Sequence, residues 1–412
     1  MGILLACHST GDTENIIDTV KLVVKAVKEA KETGEKIYVL TVGKNATSVV
    51  GNSVKEFPNV SHLSLSDIIG EEEAKGVENS ALSPQQLSKV QECLAKLEID
   101  TALIGNPSEN NAAAPFQIAE LISDRLEFGM IYNEYLFEES EHIFYKTLQQ
   151  KKPWQKKFAW MLATQQAELS AKRANPEIKT AAVGHRAIDA ATQPHAFDQK
   201  EISDTRNKLK LSDKQSLLFI SATKNAEDDK KLLEQLLSCI QDNKSYSNIE
   251  IRLGIHPGLK ADPIKLNNYV LTLAEVITKY AGTPVANQVK FIITKELEPL
   301  VDLSKIPSTL ICATHNVTGD QAALAAQGVA CAVPATLINK AALSGKPAYY
   351  HQDSKTPFLP GERLHAGVST MGLFLNKVAG KEMLGPVDKA ELKLESQPVA
   401  QTLANMLIRK NR

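Results

Sequence analysis

The apolar residues of this chain follow two patterns, short continuous runs and a repeat every three or four positions, which predict strands and helices in regular succession. Short, mainly apolar runs such as residues 3–7 and 36–42 are typical of strands that are buried on both faces. Between such runs, as in residues 14–30, apolar side chains recur every three or four positions and predict helices. The longest helix predicted in this way covers residues 153–174, and a short helix is predicted at 296–303. Repeated strand–helix–strand units predict a parallel sheet with helices on both faces.

The same alternation begins again after a polar stretch in the middle of the chain. Residues 187–214 lack sustained periodicity, and beyond them the predicted strands lie at 216–221, 249–253, 289–293, 309–313, 329–333 and 348–351. We therefore predict an α/β protein of two doubly wound, Rossmann-like domains that face each other across a cleft. The predicted parts are an N-terminal domain at 1–186, a linker at 187–214, a C-terminal domain at 215–380 and a helical segment at 381–412 that packs back on the first domain.

Composition and charge narrow the range of partners. Of the 412 residues, 43% are hydrophobic and 23% are charged, and the net charge of −1 gives no electrostatic reason to expect nucleic acid. The basic run at 151–157 is either an exposed helix start or a patch that contacts phosphate or a membrane surface. No apolar run is long enough for a membrane-spanning helix, and no cleaved export signal is expected, although an uncleaved secretion signal stays open.

The five cysteines are scattered and form no CxxC pair, which argues against a zinc site or a disulfide framework. Reduced thiols fit a reducing compartment, so we expect a cytoplasmic location.

Candidate binding residues follow the predicted strands, because ligands of doubly wound sheets lie beyond the carboxyl ends of the strands. Ala335 and Thr336 stand where a strand gives way to a helix, and the free amides at a helix start favour anions. Thr223 and Lys224 offer a hydroxyl and a cation at a similar junction, which suits phosphate. In each case the alternative is an ordinary helix cap or polar loop.

The stretch VACAVPATLINKAALSGKPAYYHQ, at 329–352, resembles the donor-binding signature of GT-B-type glycosyltransferases. Two shorter segments support the resemblance. AVGHRAID at 182–189 is similar to the end of the first domain in the lipid A disaccharide synthase and nucleotide-sugar epimerase branches, and IHP at 255–257 is similar to a turn in the second domain. The chain departs from the pattern in the donor helix, where no acidic residue stands to bind ribose, and in a diphosphate turn that lacks the glycine pair.

The resemblance implies a nucleotide-sugar donor, UDP- or GDP-linked, bound on the second domain. It places His315 and Asn316 near the base, with Gln352 and Asp353 near the sugar. It also points to Glu109, in the loop after the fourth strand of the first domain, as a carboxylate that matters for catalysis.

Transfer of a sugar to a hydroxyl needs a base, and imidazole is the side chain most easily poised for that role. His8 follows the first strand, and Asp12 stands four positions further on, where its candidate roles are to hold the ring tautomer, to contact the acceptor and to cap the next helix, of which capping is compatible with a catalytic role. No acidic pair with DxD spacing follows a strand, so no metal and no further cofactor are expected. Helix amides and Lys224 would then stabilise the leaving diphosphate.

The function that these residues favour is metal-independent transfer of a hexosyl or N-acetylhexosaminyl group to an unknown acceptor, which is a sugar, a lipid-linked sugar or a protein. Two alternatives stay open: a non-hydrolysing nucleotide-sugar epimerase, and a catalytically inactive nucleotide-sugar-binding or regulatory protein with the same fold.

Overall fold

The structure is a computed structural model that describes residues 2–8, 10–29, 36–55, 57–106, 111–134, 136–138, 140–191, 199–260, 262–313, 317–351, 356–357, 359 and 363–409. The chain forms two compact units. Unit 1 comprises Met1–Asp189 and Lys389–Arg412, and unit 2 comprises Ala190–Asp388. Within the described residues, no helix combines the length and the apolar character needed to cross a membrane.

Unit 1 is built on a parallel sheet of seven strands. The strands of unit 1, all of which except β6 belong to this sheet, are β1 (Gly2–Cys7), β2 (Lys36–Thr41), β3 (Val60–Ser64), β4 (Thr101–Gly105), β5 (Phe128–Asn133), the two-residue β6 (Phe137–Glu138), β7 (Phe158–Leu162) and β8 (Lys179–Ala182). Its helices are α1 (Thr10–Glu29), α2 (Lys44–Ser53), α3 (Leu65–Ile69), α4 (Glu71–Ala74), α5 (Pro84–Ala95), α6 (Ala114–Ile122), α7 (Ile143–Gln149), α8 (Gln165–Ala174) and α9 (Arg186–Ala191). The sheet order is β3-β2-β1-β4-β5-β7-β8, so the strand order reverses between β1 and β4.

Unit 2 repeats this plan with a second parallel sheet, ordered β12-β11-β10-β9-β13-β14-β16. The strands of unit 2, all of which except β15 belong to this sheet, are β9 (Ser216–Ser221), β10 (Ile249–Gly254), β11 (Val289–Ile293), β12 (Ile311–Ala313), β13 (Gly328–Cys331), β14 (Ala348–Tyr350), the two-residue β15 (Thr356–Pro357) and β16 (Leu364–Ala366). Its helices are α10 (Gln199–Lys208), α11 (Ala226–Asp242), α12 (Pro263–Thr278), α13 (Pro284–Gln288), α14 (Gly319–Ala325), α15 (Thr336–Leu343) and α16 (Met371–Ala379). The predicted α/β architecture is confirmed.

The last helix, α17 (Val399–Arg409), returns to unit 1 and packs on α1. Leu403 and Leu407 of α17 are fully buried with Val20 and Val23 of α1 in one apolar cluster beside the first sheet. Burying such side chains contributes about 1.5–3 kcal/mol each. The C-terminal segment is therefore part of the core of unit 1.

The segment that follows α9 is held to unit 2 by two arginines. Arg206 donates hydrogen bonds to the side chain of Gln327 and to the carbonyl of Gln215. Arg252, of which 2% is exposed, donates to the carbonyl of Leu209 and pairs with Glu250. These contacts hold α10 against the rest of unit 2.

The helix predicted at 153–174 is correct only for its second part, Gln165–Ala174. This stretch folds as a 3-10 helix (Pro153–Lys157), strand β7 and helix α8. Trp160 is fully buried and donates its indole N–H to the carbonyl of Gln155, and β7 pairs with β5 and β8. The large aromatic side chains of this segment therefore pack within a sheet, where such residues are favoured.

The helix predicted at 296–303 is wrong, because only short 3-10 turns form there, one of them containing Pro299. Among the described helices, α2, α3, α4, α7, α9, α13 and α16 were not predicted. The strands at Ser216–Ser221 and Val289–Ile293 have the predicted bounds.

Gly345→Ala should destabilise the protein by about 2–5 kcal/mol. Gly345 has φ +84°, and a Cβ there would lie 1.9 Å from the carbonyl oxygen of Leu384. Gly282→Ala is the matched control, since Gly282 has φ +86° with nothing within 4 Å of an added Cβ, and it should cost only about 1 kcal/mol. Urea unfolding measures both variants, and equal losses would contradict the packing described here.

Candidate functional site

A cleft of about 1370 Å³ opens at the carboxyl edge of the unit 2 sheet. The loops that follow β9, β10 and β11 form one part of its wall, and the first turns of α14 and α15 form another. In the sheet, β9 lies between β10 and β13, so the chain moves in opposite directions from β9 on its two sides. Such a reversal is the usual ligand site of an open parallel sheet.

Helix α15 begins at this cleft without a side-chain cap. Ala335 is the N-cap residue, with φ −141° and ψ 155°, and as an alanine it has no polar side chain to accept a hydrogen bond from the first turn. The Ala335 carbonyl accepts from the amides of Ile338 and Asn339, as at an ordinary helix start. The amides of the first turn and the positive end of the helix dipole therefore suit an anion.

The loop after β9 is held by a buried carboxylate. Asp229, of which 2% is exposed, accepts three hydrogen bonds at Oδ2: from the Thr223 amide at 2.7 Å, the Thr223 hydroxyl at 2.7 Å and the Tyr269 hydroxyl at 2.5 Å. The Asn225 amide in turn donates to Thr223 Oγ1 at 3.0 Å. The Thr223 hydroxyl therefore donates its proton to Asp229. A contact between Thr223 and phosphate stays a prediction.

Burial sets the protonation behaviour of this network. It raises the pKa of Asp229, against the opposing effect of the hydrogen bonds from Tyr269 and Thr223. Burial, followed by the nearby Asp229, raises the pKa of Tyr269. Burial also raises the pKa of Cys331, at the end of β13, to about 12. The Cys331 thiol therefore stays protonated near neutral pH and is a poor nucleophile.

Lys224 stands next to this network on the cleft wall. Its side chain is exposed and runs over Gly258, where a Cβ would lie 2.6 Å from the lysine Cε. His256 accepts the Gly258 amide proton at Nδ1, at 2.9 Å. Burial and then the charge of Lys224 lower the pKa of His256, so its neutral ring presents an N–H donor at Nε2.

The cleft wall carries more positive than negative charge. Its lining includes four lysines, Lys224, Lys260, Lys295 and Lys340, and two carboxylates, Glu296 and Asp320. Lys260 pairs with Glu296, and Lys340 lies 3.4 Å from Asp320. Among the described residues, no group of three or more His, Cys, Asp or Glu is placed to hold a metal ion.

The Gly345-Lys346-Pro347 turn supports the cleft from behind. Lys346 is buried and donates to the carbonyls of Ala323, at 2.9 Å, and Leu324, at the carboxyl end of α14. The opposite end of α14 lines the cleft and is closed by a capping box between Thr318 and Gln321. The lysine of this turn therefore fixes a helix of the site, a role that the sequence did not suggest.

In unit 1, polar side chains also gather at the carboxyl edge of the sheet. His8 follows β1 with 3% of its surface exposed. Asn106, after β4, donates to Asn133 of β5 at 2.9 Å. Glu134 lies 4.0 Å from Nε2 of His185, which accepts the Ala187 amide proton at Nδ1. Glu134 and His185 form a carboxylate–imidazole pair. The two residues follow different strands, and the sequence alone did not indicate that they lie together.

Several predicted site residues lie outside the described part of the chain, so their roles stay predictions: Glu109, His315, Asn316, Gln352 and Asp353. Asp12 and Thr336 belong to α1 and α15, but their side chains are outside the described set. The structure places Thr223, Lys224 and Ala335 on one cleft of unit 2 and His8 on unit 1.

Solved structures share the architecture of the whole chain. A Methanocaldococcus jannaschii UDP-GlcNAc 2-epimerase, in complex with UDP-GlcNAc and UDP, is 12% identical, with a TM-score of 0.56 over 99% of each chain. A glycosyltransferase from Rickettsia africae is 9% identical, with a TM-score of 0.54 over 99% of this chain and 92% of that one. A Neisseria meningitidis UDP-GlcNAc 2-epimerase bound to UDP-GlcNAc is 11% identical, with a TM-score of 0.52 over 99% and 100%.

No protein-family model matches the sequence. No curated protein matches it either. The likeness to the solved structures therefore establishes a shared two-domain fold.

Lys346→Met should reduce the rise in the free energy of unfolding that the wild type shows from pH 7 to 10. Burial lowers the pKa of Lys346 from 10.5 to about 7. In this window the unfolded chain binds the proton more tightly than the folded chain, so stability rises with pH, by at most about 1.4 kcal/mol per pH unit from one group. Urea unfolding at three pH values measures the slope.

Lys244→Met, which removes an exposed amine from the same unit, is the control and should keep the wild-type slope. The same pH slope in Lys346→Met and the wild type would contradict the buried position of the amine.

Proposed function

The chain has the two-domain GT-B fold, and on this premise we propose that it is a metal-independent glycosyltransferase whose unit 2 binds a nucleotide diphosphate sugar. UDP- and GDP-linked hexoses and N-acetylhexosamines are the donors to test, and no cofactor beyond the donor is invoked. The acceptor is a hydroxyl-bearing compound such as a sugar, a lipid-linked sugar or a protein.

The observation that carries the proposal is the open start of α15 in a lysine-lined cleft. A helix start without a side-chain cap leaves its first amides for a ligand, and the dipole favours a negative one. A diphosphate supplies several acceptor oxygens, and the cleft volume of about 1370 Å³ is ample for a nucleotide sugar.

In such a transfer, charge develops on the diphosphate as the bond to the sugar breaks. Fixed amides at the start of α15, together with the Lys224 ammonium, would stabilise that charge without reorganisation. His256 offers a further N–H donor on the same wall. For removal of the acceptor proton, His8 and Glu134 of unit 1 are the candidate bases.

A second candidate function, epimerisation of the nucleotide sugar, is favoured by the Glu134–His185 pair. Epimerisation moves a proton on a sugar carbon and needs both an acid and a base, which a carboxylate beside an imidazole supplies. Transfer to a hydroxyl needs one base. Glu134 and His185 together supply the acid and the base that epimerisation requires, which supports this second candidate.

One assay distinguishes these functions. Purified protein is incubated with UDP- and GDP-sugars, with and without simple sugar acceptors, in deuterated water. Release of free UDP or GDP that requires the acceptor supports transfer, whereas a new epimer that carries deuterium supports epimerisation. Thermal stabilisation without turnover indicates a binding protein, and absence of both binding and turnover contradicts the proposal.

Ala335→Asp should raise protein stability while it weakens donor binding. The extended backbone at Ala335 suits an N-cap, so a carboxylate there would cap α15 and stabilise it by about 0.5–1 kcal/mol. The same carboxylate would occupy the amides and repel the diphosphate, which should weaken binding by at least about tenfold. Calorimetry with UDP and GDP measures the binding.

Ala281→Asp is the control for net charge, since Ala281 is exposed, belongs to the same unit and is not part of the cleft lining. Unchanged nucleotide affinity in Ala335→Asp would show that the diphosphate does not bind at this helix start.

A further inference from the structure

Asp229 is buried without a cation beside it, which is costly for a carboxylate. Of this side chain 2% is exposed, its pKa is raised by burial, and within the described part of the chain it takes part in no ion pair. Its Oδ1 contacts no hydrogen-bond donor among the described residues. An apolar side chain of similar size would fill this place at lower cost, so the carboxylate calls for an explanation other than stability.

The hydrogen bonds to Asp229 Oδ2 come from the loop after β9, which lines the cleft, and from helix α12. Thr223 donates both its amide and its hydroxyl to Oδ2, which turns this residue inward. Tyr269, which is 2% exposed and comes from the neighbouring helix α12, donates to the same oxygen at 2.5 Å. The loop after β9 is thus tied to two helices through one atom.

Lys224, which follows Thr223, is the residue of this loop that would contact the donor. With Thr223 turned inward, the Lys224 side chain is exposed on the cleft wall, over Gly258 and close enough to His256 to lower its pKa. A long side chain on a fixed backbone loses less freedom when a ligand binds.

We propose that Asp229 and Tyr269 are positioning residues that hold Lys224 in place for the diphosphate of the donor. This inference rests on the proposed function, because the diphosphate is the group that Lys224 would meet. The inference adds Asp229 and Tyr269 to the proposed site as residues that do not contact the ligand and that act through the loop after β9.

The central test is a double-mutant cycle in the full-length protein, with UDP and GDP as the ligands and calorimetry as the readout. Tyr269→Phe keeps the ring in the core and removes one donor, so it should fold and bind the nucleotide roughly three- to tenfold more weakly. Lys224→Met should weaken binding directly. In the Lys224→Met background, Tyr269→Phe should have little further effect, since the pair acts through the lysine.

Two further variants keep the test specific. Tyr280→Phe removes a hydroxyl that bonds the Glu234 carbonyl at 3.3 Å, away from the cleft, and should bind like the wild type. Asp229→Asn keeps a carbonyl oxygen for Thr223 and Tyr269 but weakens charge-assisted bonds, so it should fold and bind less tightly. Hydrogen exchange at the Thr223 amide should quicken in Tyr269→Phe and in Asp229→Asn, with or without nucleotide.

The outcomes separate the two proposals. Failure of the wild type to bind either nucleotide would overturn the proposed function and this inference with it. Nucleotide binding by the wild type that is unchanged in Tyr269→Phe would overturn the inference alone. Fully additive losses in the double mutant would also overturn it, because the pair would then act independently of Lys224.

Discussion

The central strands of both parallel sheets are buried on both faces, and this constraint decides where the protein can carry polar chemistry. Strand β1 is buried along its whole length, and β9 is nearly so. Polar side chains cannot be accommodated within such strands without a cost in hydrogen bonds, so they are displaced to the loops that follow. His8, Asn106 and Glu134 in unit 1, and Thr223 and Lys224 in unit 2, all stand just beyond a strand.

The unit 2 cleft combines open groups with groups that are already bonded. The start of α15 has no side-chain cap, whereas α14 beside it is closed by a capping box at one end and by Lys346 at the other. The loop after β9 is likewise closed by Asp229. A helix start without a side-chain cap, beside a helix and a loop that are already held by hydrogen bonds, is an arrangement that suits an anion without prior reorganisation.

The sequence predicts the fold better than it predicts the site. Uninterrupted apolar runs such as Ser216–Ser221 leave little choice of structure, and this strand has the predicted bounds. The failure at 153–174 has a physical cause, because aromatic residues next to a helix-like pattern suit a strand and a helix equally well until their sheet partners are known. Within the site, the helix start at Ala335 was predictable, since it follows from a strand–helix junction alone.

The network of Asp229 was not predictable, because the sequence shows a charged helix start and gives no sign that Tyr269, forty positions away, would face it. Lys346 was predicted only as part of a turn, because its acceptors are the carbonyls at the end of another helix. Both residues are recognisable from burial, which only the folded chain reveals.

A crystal structure of the protein with UDP or GDP tests the central claim most directly. In that complex we expect diphosphate oxygens about 2.7–3.2 Å from the backbone nitrogens at the start of α15, with the Lys224 ammonium next to them. A nucleotide diphosphate bound elsewhere, with the first turn of α15 left open to solvent, would contradict it.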